Sequence, residues 1–337
     1  MTLGPRNLIT DVAGLKVGNA EDERLRSGVT VIMGDQPFCA AVDIRGGAPG
    51  TRDVAVLAPE NLVTAIDGIC LSGGSAFGND AVSGLQSFLR AQGQGYQIAP
   101  DAPLVPVVCG AILFDLNNGG DKSWGEEPPY RQLGLTAAQR AGGDFALGNA
   151  GAGMGAACGR LKGGLGSASW CLDDGTTVGA LVAVNAVGSA LMPHSDAFWA
   201  WPFEQQGEFG GRRPGAEFSA VPAALPSDMK LGSQAGANTT IAVVATDAAL
   251  DKLELRRVAI MAADGFARAL RPVHTPFDGD LVFAISTGRS SRADKSPLET
   301  MQIGHVAADC LARAIARGVY EARSVGRLTS YREFIGR

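Results

Sequence analysis

The chain contains few of the residues that build metal or redox sites. It has three histidines in 337 residues, and no two of them form an HxxxH or HxH spacing, so we do not expect a His-rich metal site. Its six cysteines include no CxxC and no short pair, and several of them lie in apolar runs. We therefore expect reduced, buried thiols in a cytoplasmic protein.

Long runs of one kind of residue are missing as well. No Lys/Arg-rich stretch has the length expected for nucleic-acid binding, and a net charge of -5 with 19% charged residues is typical of an ordinary soluble surface. The first residues, MTLGPRNLITDVAGLKVG, lack a basic segment followed by an apolar stretch. They predict neither a signal peptide nor a transmembrane helix. We expect no nucleic-acid partner and no membrane partner.

Glycine, in contrast, is abundant. The chain has 46 glycines, whereas an average usage of about 7% would give about half as many. Most of them interrupt apolar segments, as in DIRGGAPGT, LSGGSAFG, GNAGAGMGAACG and LKGGLGSAS. This density predicts tight turns packed close together, including turns around a site.

Predicted strands and helices alternate irregularly along the chain, with no internal repeat. The length allows one large α/β domain or two smaller ones. Apolar and β-branched runs predict strands, and helical periodicity predicts helices. Strands are predicted within 28–44 (two strands joined by a turn), 104–116 (a strand pair), 177–191, 239–246 and 281–287, and helices within 72–93, 251–271 and 297–322.

Three short motifs predict no site by themselves. SGGSAFG holds Ser75, but a nucleophile elbow needs glycine where Phe77 stands, so a structural turn is the better interpretation. GAGMGA at 151–156 matches a relaxed dinucleotide fingerprint, yet no clear strand precedes it and no helix continues from it. NTT at 238–240 is formally a glycosylation sequon, which has no meaning without a secretory signal.

The stretch AGANTTIAVVATDA allows two interpretations. In the first, Thr239 simply begins a strand with a hydroxyl-bearing edge. In the second, the Thr239 hydroxyl attacks the Asn238 carbonyl and water hydrolyses the resulting ester, so that the chain cuts itself. The freed α-amine, with a pKa of about 8 in model peptides, can then act as the base for its own hydroxyl. Residues 200–237, rich in Pro, Gly and polar residues, predict a surface loop or disordered segment before this bond.

Seven stretches in a fixed order carry a family resemblance. They are ITDVAGLKVGNA, VDIRGGAPGTRD, LAPENLVTAIDGICLSGGSAFGNDAVSG, LKGGLGSAS, TVGALVAVNAVG, GANTTIAVVATDA and RPVHTPFDGDLVFAIST. With these motifs the chain resembles, over nearly its whole length, the P1 (DmpA-like) family of N-terminal-nucleophile peptidases, which contains D-aminopeptidase/esterase and β-aminopeptidase enzymes. Many members have Gly–Ser at the cut. The Asn–Thr junction and the Asp-Gly-Asp here look more like the 6-aminohexanoate-oligomer (nylon-oligomer) hydrolase branch.

This resemblance implies a fold and a processing scheme. The fold is a four-layer αββα sandwich of the DmpA/ornithine-acetyltransferase type, similar to Ntn hydrolases but differently connected. Residues 1–337 form a single domain, processed into an α chain 1–238 and a β chain 239–337. The family assembles αβ pairs into homo-oligomers, commonly tetramers, and its reaction uses no metal or organic cofactor.

The resemblance also implies roles at the cut. Thr239 is similar to the family's nucleophile, and Asn238–Thr239 is the autoprocessing bond. Asn185 resembles the oxyanion-hole asparagine, although a buried asparagine that satisfies local backbone groups is the alternative. Asp278 and Asp280 resemble the polar or acidic pair that holds the nucleophile. A simple turn is the alternative for D-G-D, and other members carry Ser and Glu at these positions.

Three more residues are placed near the site by the resemblance. Lys162 resembles a lysine that donates to the nucleophile or the oxyanion, with Arg160 as the alternative in the same loop. Tyr130 aligns with a tyrosine that faces the substrate or supports the oxyanion, and its alternative is an aromatic packed on the surface. Trp124 is a second substrate-pocket residue.

The expected activity follows from these roles. The first hypothesis is a self-processing amide hydrolase that releases N-terminal residues, D- or β-amino acids included, from small peptides or amides. Three alternatives stay open: an endohydrolase of 6-aminohexanoate oligomers, an ornithine-acetyltransferase-like acyltransferase, and an uncleaved, inactive binding protein. The retained Thr239, Asn185 and acidic pair argue against the last.

Overall fold

Two β-sheets lie face to face and share one long strand. The structure, a computed structural model, describes residues 1–215, 218, 224–230, 238–290 and 296–336. Helices cover the outer face of each sheet, which gives four layers in the order helix, sheet, sheet, helix. The predicted αββα sandwich is therefore confirmed.

The bounds of the regular elements are as follows. The strands are β1 Thr2–Leu3, β2 Leu15–Asp22, β3 Ser27–Ile44, β4 Thr51–Arg52, β5 Ile66–Ser72, β6 Val108–Ile112, β7 Ala157–Cys158, β8 Leu161–Lys162, β9 Gly164–Cys171, β10 Thr177–Val184, β11 Ile241–Thr246 and β12 Leu281–Ser286. The helices are α1 Asp80–Ala91, α2 Tyr130–Gln139, α3 Lys252–Ala262, α4 Asp264–Ala269, α5 Pro297–Tyr320 and α6 Tyr331–Ile335.

The two sheets differ in strand order but meet at β3. The first sheet runs β1-β9-β10-β11-β12-β3, and the second runs β2-β3-β5-β6-β4. The pairs β11–β12 and β5–β6 are parallel, whereas the other pairs of these sheets are antiparallel. The end of β3 pairs with β12 and its beginning pairs with β2 and β5, so one strand crosses from one sheet to the other.

The expectation of two strands within 28–44 is wrong. The Gly34-Asp35 signal does not close a hairpin, because the strand continues and the irregularity between Met33 and Phe38 is a shift of register against β5. Glycine suits this bend, since a Cβ on Gly34 would lie 2.3 Å from the Gln36 carbonyl oxygen. The predicted strand pair within 104–116 is likewise a single strand, β6.

Alternating side chains of β11 separate the two main cores. Ile241, Val243 and Ala245 point between the sheets, while Ala242 and Val244 join the core formed with α3, α4 and α5. A third core lies between the second sheet and helices α1 and α2. Because both faces of β11 are buried, the strand is an almost continuous apolar run, as its sequence predicted.

Helix starts follow their sequence signals. Ser296 caps α5 by accepting the Glu299 N–H, and Pro297 occupies the first turn. The predicted helix within 251–271 is two helices, α3 and α4. A Cβ on Gly265 would lie 2.4 Å from the Ala308 carbonyl oxygen, so glycine allows α4 to approach α5 closely.

Part of the predicted loop before the cut is ordered by contacts. Residues 224–230 are hydrogen-bonded to the sandwich, whereas 216–217, 219–223 and 231–237 lie outside the described residues.

All six cysteines are unpaired. Among the described residues, no helix combines the length and apolar character needed to span a bilayer.

Candidate active site

The bond between Asn238 and Thr239 lies where three elements of the first sheet meet. It directly precedes β11, beside the end of β10 and the turn before β12. The Thr239 N–H donates to the Asn185 carbonyl at 2.8 Å, and Asn238 pairs with Asp278 as an extension of the parallel β11–β12 register. Only 1% of Thr239 is exposed. In the uncut chain its hydroxyl is therefore closed to any external substrate.

The hydroxyl of Thr239 faces the peptide bond that precedes it. Its Oγ1 lies 2.5 Å from the Asn238 carbonyl oxygen, which also accepts the Gly279 N–H at 2.9 Å. A Cβ on Gly279 would lie 2.7 Å from both Thr239 Oγ1 and the Ala48 carbonyl oxygen, so no larger residue fits. The arrangement places a nucleophilic oxygen beside a carbonyl that an N–H donor polarises.

Asp278 is tied to the backbone around the cut. Its Oδ1 accepts the Val187 N–H at 3.1 Å, and its Oδ2 accepts the Thr275 N–H at 3.0 Å and the Thr275 hydroxyl at 2.5 Å. Burial raises the pKa of Asp278, the neighbouring Asp280 raises it further, and the hydrogen bonds from Thr275 and Val187 oppose the change. Asp278 thereby joins the turn before β12 to the end of β10.

Asp280 holds the residue that follows Thr239. Its Oδ1 accepts the Thr240 N–H at 2.8 Å. Its Oδ2 accepts the His274 N–H at 3.1 Å and lies 3.0 Å from His274 Nδ1. Both aspartates therefore hold backbone near Thr239, and no described hydrogen bond joins either carboxylate to the Thr239 hydroxyl.

Asn185 follows β10 and contacts Thr239 through its backbone carbonyl. Its side-chain Nδ2 donates to the Phe114 carbonyl at 3.0 Å, and its Oδ1 accepts from the Ala157 N–H and from Lys230 Nζ, each at 3.0 Å. The side chain thus satisfies local backbone groups, as the alternative expected. Nδ2 carries a second hydrogen, and its use at an oxyanion stays a prediction.

Lys162 is buried beside the same network. It is 0% exposed, and its Nζ donates to the carbonyls of Gly153 and Gly163, each at 2.7 Å. Burial lowers the pKa of Lys162 to about 7; Asp115 opposes this change, and the positive charge of Lys230 adds to it. A lysine with a pKa near neutrality can give or take a proton at physiological pH.

Arg160, the alternative to Lys162, points elsewhere. Its side chain is exposed and its guanidinium lies 5.0 Å from the centre of the Phe334 ring, while its N–H donates to the Asp228 carbonyl. Between the two residues, Lys162 is the one that the fold turns inward.

Tyr130 and Trp124 lie together, on the helical side of the second sheet. Tyr130 begins α2 and is fully buried, because its ring fills the space beside Gly74, where a Cβ would lie 2.1 Å from the Tyr130 Cζ. Its ring centre is 6.0 Å from that of Trp124, which is 5.6 Å from that of Phe77. Burial and the neighbouring charge of Asp115 raise the Tyr130 pKa. Asp115 therefore bears on both Tyr130 and Lys162.

Three further residues were missed in the sequence. Asp115 is buried, and burial raises its pKa against the opposing effects of Ser27, the Gly74 N–H and two lysines. His274 has a left-handed backbone, φ 55°, and its Nε2 is buried without a partner among the described residues. For Lys230 a signal existed: the chain has six lysines against 23 arginines, so each lysine merits attention.

Comparisons with known proteins identify the family of the chain. The model of "Peptidase family S58" matches residues 7–331. The chain is 42% identical to an uncharacterized aminopeptidase of Mycobacterium tuberculosis, over 97% of both chains. It is 30% identical to a 6-aminohexanoate-oligomer endohydrolase of a Kocuria species, over 84% of this chain and 76% of that one.

Two solved structures are similar in fold. One is the L-aminopeptidase D-Ala-esterase/amidase of Ochrobactrum anthropi, described as a variant of the Ntn hydrolase fold, with a TM-score of 0.69 and 20% identity over 99% of this chain and 94% of that one. The other is a β-aminopeptidase of a Burkholderia species, with a TM-score of 0.67 and 24% identity over 95% of this chain and 88% of that one.

Proposed function

The chain belongs to peptidase family S58 and is a hydrolase of peptide or amide bonds, and we propose that it becomes active by cutting itself between Asn238 and Thr239. One observation carries the proposal. The Thr239 hydroxyl lies beside the carbonyl of its own preceding peptide bond, which is polarised by the Gly279 N–H. Since Thr239 is closed to solvent in the uncut chain, Asn238 must move away from it for a substrate to enter.

The first step is an acyl shift within the chain. Thr239 Oγ1 attacks the Asn238 carbonyl carbon, the C–N bond breaks, and the hydroxyl proton goes to the departing amine, which becomes the α-amine of Thr239. Water then hydrolyses the ester, leaving a carboxylate on Asn238 and restoring the hydroxyl. The bond that is cut supplies the amine that later turnover needs.

The second step is turnover of amide substrates. The α-amine of Thr239, with a pKa of about 8 in model peptides, takes the hydroxyl proton while Oγ1 attacks the substrate carbonyl. The amine product leaves, and water hydrolyses the acyl-enzyme. The Asn185 amide is the proposed oxyanion donor, and a donor of this kind contributes on the order of 3 kcal/mol to the transition state. This scheme uses no metal or organic cofactor.

Strand pairing supports a stable two-chain enzyme. After the cut, β11 of the β chain (239–337) stays paired with β10 of the α chain (1–238), and β12 stays paired with β3. Helix α5 also packs on β9 and β10. We propose that the two chains remain together in the cytoplasm and that αβ pairs assemble into a homo-oligomer, a tetramer in the family's common form.

The substrates that fit this scheme are small peptides or amides with a free N-terminal residue, D- or β-aminoacyl ones included. The relatives named as aminopeptidases support this class. A 6-aminohexanoate-oligomer endohydrolase is the second candidate, supported by the Asn–Thr junction, by Asp278 with Asp280, and by the relative of that name. A panel of L-, D- and β-aminoacyl amides and one 6-aminohexanoate oligomer separates the two.

Intact mass under denaturing conditions tests the cut itself. The wild-type chain of 34.6 kDa is expected to give two fragments, the second beginning at Thr239. Thr239→Ala is expected to stay whole and to hydrolyse no amide, while Thr240→Ala, the matched control, still cuts. A Thr239→Ala protein that splits at the same bond overturns the nucleophile assignment. An acyltransferase is revealed by transfer to an added amine in place of hydrolysis, and an inactive binding protein by a wild-type chain that stays whole.

A further inference from the structure

The segment just before the cut is fastened to the site independently of the bond that is cut. Within residues 224–230, the Lys230 N–H donates to the Val187 carbonyl at 2.9 Å, and the Asp228 carbonyl accepts the Arg160 N–H at 2.9 Å. The Asp228 carboxylate also accepts the Ser189 hydroxyl. None of these contacts involves Asn238 or Thr239, so cutting the chain removes none of them.

The Lys230 side chain reaches from this segment to Asn185. Its Nζ donates to Asn185 Oδ1 at 3.0 Å, the oxygen that also accepts the Ala157 N–H. A hydrogen bond from an ammonium group is about twice as strong as one between neutral groups. It fixes the orientation of the amide and leaves Nδ2 as the end of Asn185 that can donate.

We propose that Lys230 stays in the mature active site, carried by the C-terminal tail of the α chain, and acts as the positioning residue for Asn185. The proposal rests on the proposed function, since it assumes turnover at Thr239. Lys230 touches no reacting atom in it. It orients the Asn185 amide, draws electron density towards Oδ1, and places a positive charge on the side of the site where the oxyanion forms.

Several charged or titratable groups surround Lys230. Burial lowers its pKa to about 8, and Cys158 and Asp278 oppose that change. Lys162, on β8, is a like charge whose own pKa Lys230 lowers. Asp228 lies on the same segment. If Lys230 works in its charged form, turnover falls as the pH rises through about 8, and this alkaline limb belongs to the Lys230–Lys162 pair rather than to one residue alone.

The test compares three variants in the full-length, self-processed protein. Lys230→Met removes the charge, Lys230→Arg keeps it, and Lys16→Met, an exposed lysine of β2 paired with Asp35, is the matched control. The fraction cut is measured by mass, and kcat and KM are then measured on cut protein with an aminoacyl p-nitroanilide. For Lys230→Met we expect kcat to fall by at least about tenfold, KM to change by less than threefold, and the alkaline limb to move. Lys230→Arg should recover most of kcat, and Lys16→Met should match the wild type.

Three results overturn the proposal. The first is a cut Lys230→Met protein whose kcat lies within twofold of the wild type. The second is a loss that Lys230→Arg does not relieve. The third is a Lys230→Met protein that folds by circular dichroism but stays uncut while Lys230→Arg cuts, because the lysine then acts in processing and not in turnover. Failure of the proposed function can be distinguished from failure of this proposal. It would appear as a wild-type chain that stays whole or as a Thr239→Ala chain that still cuts, and both results are independent of the residue at position 230.

Discussion

The carboxylates and the lysines near Thr239 are held in opposite ways. Asp278 and Asp280 lie on the β12 side, and their oxygens accept hydrogen bonds from backbone N–H groups, including that of Thr240 directly after Thr239. Lys162 and Lys230 lie near Asn185, Lys230 by a hydrogen bond to its side chain and Lys162 on the strand paired with Ala157. They donate to neutral oxygens of glycine carbonyls and of the Asn185 amide. Burial disfavours the charge of Asp278 as well as that of the two lysines. The difference is that the carboxylates hold backbone N–H groups in place, whereas the lysines bind oxygens.

This difference predicts different roles for the carboxylates and the lysines. Carboxylates bound to several N–H groups fix the backbone, and those hydrogen bonds favour the charged form. A buried lysine whose pKa is about 7 is close to its two protonation states at neutral pH and is suited to proton transfer. We therefore expect changes on the acidic side to alter geometry and stability. Changes on the lysine side should alter turnover and its pH dependence.

A larger residue between the two aspartates, at Gly279, should have the largest effect on self-cutting. Gly279→Ala places a Cβ 2.7 Å from Thr239 Oγ1, so the hydroxyl cannot keep its position beside the Asn238 carbonyl. Self-cutting should slow by at least about 100-fold, as followed by the appearance of fragments over time. Gly142→Ala is the control, because no atom lies closer than 4.0 Å to a Cβ there. A folded Gly279→Ala protein that cuts at the normal rate would contradict the positioning role of the acidic side.

Lys162→Met should follow, with turnover lower by about 100-fold. It should also change the pH dependence of stability. The folded-state pKa of about 7 lies below the ordinary value of 10.5, so above pH 7 the unfolded chain binds a proton that the folded chain lacks. Wild-type stability therefore rises with pH, by up to about 1.4 kcal/mol per unit. Urea unfolding at pH 7 and 8 should show a smaller rise for Lys162→Met than for Lys16→Met. Equal slopes would contradict the low pKa.

Asp280→Asn should have an intermediate effect. Either placement of the new NH₂ group faces a backbone N–H, that of Thr240 or that of His274, so one donor loses its partner. We expect the free energy of unfolding to fall by about 1–3 kcal/mol and kcat to fall about tenfold. Urea unfolding and amide kinetics measure both. Asp35→Asn, at an exposed ion pair, should change stability by less than about 0.5 kcal/mol. A turnover loss with unchanged stability would show that Asp280 does more than hold the backbone.

The smallest effect is expected at Tyr130. Its hydroxyl is buried without a partner in hydrogen-bond geometry among the described residues, so Tyr130→Phe should change stability by less than about 1 kcal/mol. Turnover should fall only a few-fold, through the altered surroundings of Asp115. A loss above about 100-fold would place Tyr130 at the oxyanion itself. Trp124→Phe serves as the control for packing in the same aromatic group.

The layers were implied by the family resemblance, whereas the strand after Thr239 and the turn before β12 were predicted from their own residues. These two elements depend on local patterns: a continuous apolar run in β11, and glycine and aspartate at the turn before β12. The pairing of β11 with β12 then brings the two patterns together. The continuous β3 was missed, because a Gly-Asp pair signals a turn and only the neighbouring strands decide that the chain runs straight on.

The scarcity of lysine singles out Lys230, but the positions of Lys230, Asp115 and His274 could not be predicted because they depend on distant contacts. Lys230 comes from a Pro- and Gly-rich stretch whose composition indicates a loop, and it enters the site through hydrogen bonds to residues after β10. His274 lies near Asp280 because a left-handed backbone turns the chain at that point. Neither contact leaves a periodic signal.

The pairing of Asn238 with Asp278 makes the proposed cut depend on a part of the chain that is synthesised and folded later. The ribosome makes β11, α3 and α4 before it makes Asp278 and Gly279, and β12 must still find β3 before that turn is in place. A nascent chain therefore lacks the donor that polarises its own scissile carbonyl. The proposed cut then also depends on complete folding. A molecule that has not formed both sheets remains an inactive, uncut chain, and only a fully folded molecule becomes an active enzyme.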